Sequence, residues 1–255
     1  MYGIGLRIKM FFFKKKKIVV DAFTKISGIN DLFPIEPSKK FLPRWWKNIS
    51  PFYTVNELND VAINRSTIKQ CDGIRQFYNH GFIIPAWIDM IIKTDKDGNW
   101  GCKLASNDTD TRIDSHNRLE FGTEFNDFIH VKIQSPWLLK EKTGCKFYYT
   151  SPFWNQITHL GNFYTPPGIV NYKDQSSTQL NLFFPVKDNA VTVNAGMPLV
   201  HLIPLTEYDV EIRCHAVTSE EYDQIYLKNY VSSFFGNYKK NKKFRESAGK
   251  CPIGF

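Results

Sequence analysis

Between residues 166 and 215, apolar side chains recur at every second position. Leu180, Leu182, Phe184 and Val186 form one series; Tyr208, Val210, Ile212 and Cys214 form another, against Asp209, Glu211, Arg213 and His215. A strand with one face on a core and the other in water requires this period, and the Pro166-Pro167-Gly168 turn ahead of it is the punctuation of antiparallel structure. The same reading predicts a strand through Ile88, Met90 and Ile92, a turn at residues 95–99 and a return through Trp100 to Leu104, which together make a hairpin. Further strands are expected at 128–133, where Ile129, Val131 and Ile133 alternate with His130 and Lys132, and at 145–150 and 191–205.

Helical spacing occurs in two places. Ser66 is placed to cap a helix running to about residue 79, with Ile68, Cys71, Arg75 and Tyr78 on one side, Gly73 weakening it and Gly81 ending it. Thr218-Ser219-Glu220-Glu221 reads as a capping box that opens a helix bearing Tyr222, Ile225, Tyr226, Tyr230 and Phe234. Residues 106–120, rich in Asp, Asn, Ser and Thr, are expected to form an exposed loop. Pro34, Pro37, Pro43 and Pro51 break residues 31–53 into an extended arm across the domain surface. Its Trp45 and Trp46 either pack against the domain or form a partner-binding platform.

The expected fold is therefore mainly β, an antiparallel β-sandwich or jelly-roll-like barrel with about two peripheral helices. At 255 residues, one large domain over 18–235 is expected. It lies between basic segments at 1–17 and 236–255. The first carries Arg7, Lys9, Lys14, Lys15, Lys16 and Lys17 without an acid; the second carries Lys239, Lys240, Lys242, Lys243, Arg245 and Lys250 against Glu246. With a net charge of +8 overall, the body is left slightly acidic. Such segments either solubilise the chain or meet nucleic acid, acidic lipid or an acidic partner by Coulomb attraction, without sequence preference.

Cys71, Cys102, Cys145, Cys214 and Cys251 are widely spaced and odd in number, which fits reduced thiols in a cytosolic setting. Phe11, Phe12 and Phe13 precede the lysines and form too short a run for an export signal, and no stretch approaches the length of a transmembrane span.

Chemical motifs are sparse. Asp95-Lys96-Asp97-Gly98-Asn99 hints at a calcium loop, but Trp100 and Ser106 stand where such a loop needs Gly and Glu. His80, His116, His130, His159, His201 and His215 form no metal-binding doublet; a convergence of His116, His130 and Cys145 at a barrel mouth is the one metal site considered, in a cupin-like reading. There is no nucleophile elbow and no phosphate loop, and no motif calls for a cofactor.

Two resemblances add to this. Gly168-Ile169-Val170-Asn171-Tyr172, followed by the 180–186 strand and residues 193–203, resembles the strand pattern of dUTPases and dCTP deaminases. It implies a related β topology and a ligand pocket near Asn171 and Tyr172, with Asn171 standing where that family carries an acid. A longer resemblance rests on Lys40-Phe41-Leu42-Pro43, Gly81-Phe82-Ile83-Ile84-Pro85-Ala86-Trp87, Pro136-Trp137 and Pro198-Leu199-Val200-His201-Leu202-Ile203-Pro204. These pieces are similar to an uncharacterised family of T4-like tailed phages, notably marine ones, and some bacteria. It implies a phage-encoded chain in the host cytoplasm with a virion-associated role. The leading expectation is a non-catalytic structural or interaction protein that contacts other subunits or virion proteins. The alternative is a small-molecule or nucleotide-binding β-barrel enzyme, dUTPase-like or cupin-like.

Overall fold

Strand periodicity dominates a computed structural model, which describes residues 17–57, 61–105, 111–117, 120–156 and 162–230. In chain order its strands begin with β1 (Lys17–Thr24), β2 (Glu36–Pro37), β3 (Phe52–Glu57), β4 (Val61–Ser66), β5 (Phe82–Pro85), β6 (Met90–Thr94), β7 (Trp100–Leu104) and β8 (Ile113–Ser115). They continue with β9 (Phe128–Glu141), β10 (Lys146–Thr150), β11 (Gly168–Asn171), β12 (Ser177–Pro185), β13 (Asn189–Val193), β14 (Pro198–Pro204) and β15 (Asp209–Ala216). The helices are α1 (Ile29–Leu32), α2 (Arg44–Asn48), α3 (Asp72–Asn79) and α4 (Ser219–Tyr230).

One sheet runs β12-β9-β1-β15, with β8 also on β9; a second runs β11-β10-β14-β5-β2; a third runs β13-β6-β7. Val20 and Ala22 of β1, Val131 and Ile133 of β9, and Leu180, Leu182 and Phe184 of β12 share one core with Ile84, Phe147 and Leu202 of the second sheet and Met90, Ile92 and Val193 of the third. Each of the larger aliphatic and aromatic side chains contributes about 1.5–3 kcal/mol on leaving water, so this shared layer holds the sheets together. The architecture is β-sandwich-like, and among the described residues no sheet closes into a barrel.

The antiparallel expectation holds for most pairs and fails for one. β15 lies parallel to β1, in register from Lys17 opposite Asp209 to Thr24 opposite Ala216. Parallel neighbours need a long crossover, and here most of the domain intervenes between the two strands. Local patterning cannot report such a pairing.

The β6–β7 hairpin forms as expected. Asp95 Oδ1 accepts from the Asp97 and Asn99 amides at 2.9 and 2.8 Å, and Gly98 takes φ 84°. The helix expected from Ser66 starts later: Thr67 Oγ1 accepts from the Lys69 amide to open a single 3-10 turn, Cys71 is extended, and α3 begins at Asp72. Within the expected 106–120 loop, β8 pairs with β9. The capping box is reciprocal, since the Thr218 amide donates to Glu221 Oε2 at 3.0 Å and the Glu221 amide to Thr218 Oγ1 at 3.2 Å.

The arm is fixed at one buried node. Ser38 is fully buried; its amide donates to the Gly81 carbonyl at 3.0 Å and its hydroxyl to the Tyr78 carbonyl at 2.8 Å. His201, also fully buried, donates Nε2–H to the His80 carbonyl at 2.7 Å. Gly81 sits between them at φ 92°, where a Cβ would stand 2.3 Å from the Leu202 carbonyl oxygen and 2.9 Å from His201 Nε2. Only glycine fits there. Gly81→Ala should therefore lower stability by roughly 3 kcal/mol, combining left-handed strain with a backbone clash. Gly28→Ala, at φ 79° with Leu32 as its nearest neighbour at 3.9 Å, should cost about 1 kcal/mol. Urea midpoints for the two variants check the contrast; equal losses would refute the role given to the clash.

Candidate functional site

The outward faces of β9 and β12 carry the most distinctive chemistry. Their antiparallel register sets His130 opposite Phe183, Lys132 opposite Asn181 and Phe128 opposite Pro185. Strict alternation would leave His130 and Phe183 in water, yet both are buried, because Phe121 and Phe125 fold back over them. Phe183 stacks on His130 with ring centroids 4.6 Å apart and planes 2° from parallel, and His130 stacks in turn on His116 at 4.7 Å and 7°. Phe121 presents an edge-on contact to His116, His130 and Phe183. These are the favourable geometries for aromatic quadrupoles. Tyr164 closes one side through paired backbone bonds with Phe183, both 2.8 Å, and an edge-on contact with Phe128.

Phe121, Phe125, Phe128, His130, Tyr164 and Phe183, with Pro166 and Asn181, line a groove of about 440 Å³. That volume is in the range of small-ligand pockets, and the lining is almost wholly aromatic. Its polar groups are His130, Asn181 and the Tyr164 hydroxyl. His130 is only 7% exposed, and neither of its ring nitrogens has a hydrogen-bond partner of good geometry. Burial above all, then the charge of His116, lowers its pKa to about 4, opposed by the Asn181 side chain. At neutral pH the ring is an uncharged imidazole with one N–H donor and one lone pair. His116 is engaged differently: Nδ1 lies 2.5 Å from Glu120 Oε2, and Glu120 Oε1 accepts from the Asn117 amide. The His116 contact, followed by that amide, holds the Glu120 carboxyl below its ordinary pKa.

The residues expected to form sites are mostly dispersed. His116 and His130 are brought together, but Cys145 follows the far end of β9, and the strand between His130 and Glu141 spans roughly 35 Å. The proposed metal trio is thus not assembled. Among the described residues no three His, Cys, Asp or Glu side chains are placed to hold a metal ion. Cys145 is buried in the β9–β10 turn, where Glu141, itself buried, accepts from the amides of Thr143, Gly144 and Cys145 at 2.5, 2.6 and 2.9 Å. Burial pushes the Cys145 thiol pKa up.

Tyr172 is a core residue, not a pocket wall. It is 2% exposed, its ring lies 5.5 Å from Phe147 and its hydroxyl accepts from Thr178 Oγ1 at 3.1 Å; burial raises its pKa. Asn171 makes a turn, with Nδ2 donating to Asp174 and Oδ1 accepting from the Lys173 amide. Of the two readings of the tryptophans, packing is the one that fits. Trp46 is buried with Ile74 and Tyr78, while Trp45 packs edge-on against Trp46 and donates Nε1–H to the Trp154 carbonyl at 3.0 Å. Lys17 is paired with Glu211 at 2.8 Å at the end of β1. Lys14, Lys15, Lys16, Lys239, Lys240, Lys242 and Lys243 lie outside the described residues. No helix among the described residues is long and apolar enough to cross a membrane.

Sequence patterning had placed His130 on a polar strand face and missed the groove's aromatic lid. The signals present were the Leu182-Phe183-Phe184 run, which breaks alternation, and three phenylalanines, Phe121 and Phe125 in a polar loop and Phe128 where that loop enters β9. In comparisons with known proteins, no family model matches the chain and no curated protein matches it.

The two buried imidazoles give stability a pH dependence of definite sign. His130 and His201 both have pKa values lowered to about 4, chiefly by burial, against an ordinary 6.5. The unfolded chain takes up their protons first, so stability present above pH 6.5 is lost as pH falls toward 4, by about 3 kcal/mol for a ring as buried as His201. Urea unfolding at pH 7, 5.5 and 4.5 should show this slope. His201→Gln, which keeps a donor for the His80 carbonyl but cannot titrate, should flatten it; an unchanged slope would contradict the assignment.

Proposed function

We propose that this chain is a non-catalytic interaction protein of a phage particle, which uses the aromatic groove on the outer face of β9 and β12 to hold an apolar element of a neighbouring protein. The observation that carries this reading is the rim of the groove. Phe125 and Tyr164 remain 43% and 47% exposed around a pocket already rich in aromatic surface. Clustered exposed aromatics mark sites where a partner completes the burial, and aromatic pockets are where interface energy concentrates.

Other surfaces support the same reading. On the outside of β10, β11 and β14, Tyr148 lies opposite Ile169 and Ile203, and both Tyr148 and Ile169 are exposed. The β3–β4 hairpin, which among the described residues pairs with no other strand, exposes Phe52, Tyr53 and Ile63. An isolated two-stranded hairpin is marginal in water, and contact with a neighbour would stabilise it. In this reading the basic segments at 1–17 and 236–255 provide Coulomb attraction toward nucleic acid or an acidic partner.

Mass spectrometry of purified particles tests the proposal, with Tyr164→Ser and Phe125→Ser as variants. Both residues are half-exposed, so folding should be little changed, whereas loss of a hot-spot aromatic of about 2 kcal/mol should deplete the chain from particles by roughly tenfold or more. Absence of the wild-type chain from intact particles, or undiminished retention of both variants, would overturn it.

A further inference from the structure

A second cleft, of about 110 Å³, lies where the residues after β1, those before β8, the middle of β9 and α4 converge. The β8–β9 register, with Ile113 opposite Ile133, sets Arg112 opposite Gln134, and the Gln134 amide donates to the Arg112 carbonyl at 2.9 Å. Residues directly opposite in an antiparallel pair share a face, so their side chains leave the sheet on one side, and both line the cleft. Among the described residues neither the Arg112 guanidinium nor the Gln134 carboxamide has a hydrogen-bond or ion-pair partner. The segment that carries Arg112 is pinned by its neighbour, because Trp87 donates Nε1–H to Thr111 Oγ1 at 3.1 Å. Trp87, Ser135 and Tyr222 give the cleft buried walls. Lys25 adds a second cation, its Nζ 5.6 Å from the centre of the Tyr222 ring. Asp223 is the one acid of the lining, and it forms no ion pair with either cation.

We propose that this cleft binds a single carboxylate group, received by the Arg112 guanidinium and the Gln134 carboxamide, with Lys25 as a supporting charge. Two cations against one acid leave the lining with one net positive charge. A monoanion neutralises that charge, a phosphate dianion overshoots it, and a cation would meet two like charges. A guanidinium presents paired N–H groups to a carboxylate, and buried walls strengthen the attraction. The cleft is well below the ~300 Å³ at which drug-sized pockets begin, so its ligand is a small carboxylic acid or a carboxylate-bearing side chain rather than a nucleotide. It shares no residue with the aromatic groove, so this site stands or falls separately from the interaction reading.

NMR titration of the full chain, labelled with 15N-glutamine, tests the site with propionate, inorganic phosphate and acetyl-Gly-Glu-Gly-amide, against sodium chloride at equal ionic strength. Propionate should shift the Gln134 carboxamide resonance saturably, with a Kd of about 1–10 mM, whereas chloride should not. Arg112→Gln should weaken binding by about tenfold or more through loss of a charge-assisted bond. Asp223→Asn should tighten it by about threefold, because the opposing charge is removed. Both residues are exposed, so the thermal transition should be nearly unchanged. A merely structural role for the two residues would not move affinity in opposite directions at constant stability.

No saturable shift below about 50 mM, an equal effect of chloride, or an Asp223→Asn variant that binds no more tightly would overturn the proposal. Phosphate bound more tightly than propionate would overturn the assignment to a carboxylate. The peptide identifies the source. Binding tighter than that of propionate assigns the group to a polypeptide side chain, and equal or weaker binding assigns it to a free acid; either upholds the carboxylate.

Discussion

The register between β9 and β12 is the constraint on which the outer face of the molecule depends. Because side chains alternate across a strand, the pairing that puts Ile129, Val131 and Ile133 beside Leu180, Leu182 and Phe184 in the core also sets His130 against Phe183 on the opposite face. A slip of one residue would reverse both faces together. The core residues bury enough apolar surface to make that slip prohibitive, so the geometry of the ring stack is fixed by packing on the other side of the sheet. The groove is consequently built on regular strands, and only its lid comes from a loop.

β9 achieves this by being shared. Its length lets β12 follow one edge while β8 and then β1 occupy the other, so residues near its start support the groove and residues near its end anchor the parallel β1–β15 pair. The exposed face of that parallel pair is polar. Lys17 and Arg213 both bind Glu211 and lower its pKa to about 2, while His215 Nε2 lies 2.9 Å from Asp21 Oδ1. Fixed charges on the last strand oppose its pairing with another chain. The contrast with the aromatic face of β9 and β12 in the same sheet is chemical, since one surface is kept hydrated and the other sheds water.

The elements legible in the sequence were those whose cause is local. The β6–β7 hairpin declares itself through Asp95 and Gly98, the start of α4 through Thr218 and Glu221, and the inner faces of β9 and β12 through alternation. What was not legible depends on residues far apart in the chain. Nothing near Val20 indicates Ile212 as its neighbour, and nothing near Trp46 indicates Ile74 and Tyr78. Tyr172 misled for a related reason, because its local motif suggested a pocket while its hydroxyl is satisfied by Thr178 inside the core. Of the site, His116 and His130 could be nominated from residue type alone. Their stacked arrangement requires Phe121 and Phe183 to arrive from either side.

His130 and His201 show why burial alone does not identify a site. Both imidazoles are buried and both are held neutral, with pKa values near 4. His201 uses Nε2–H to satisfy the His80 carbonyl, stands edge-on to Phe77 at 4.4 Å, and closes the node where α3, the arm and β14 meet. One of its two nitrogens is engaged by the fold, while Nδ1 is buried without a partner among the described residues. The His130 ring contributes stacking on both faces, which a phenylalanine would supply without the cost of desolvating two nitrogens. Retaining an imidazole at such a position lowers stability relative to an apolar ring, and within the fold the Asn181 side chain is the group that offsets part of that cost.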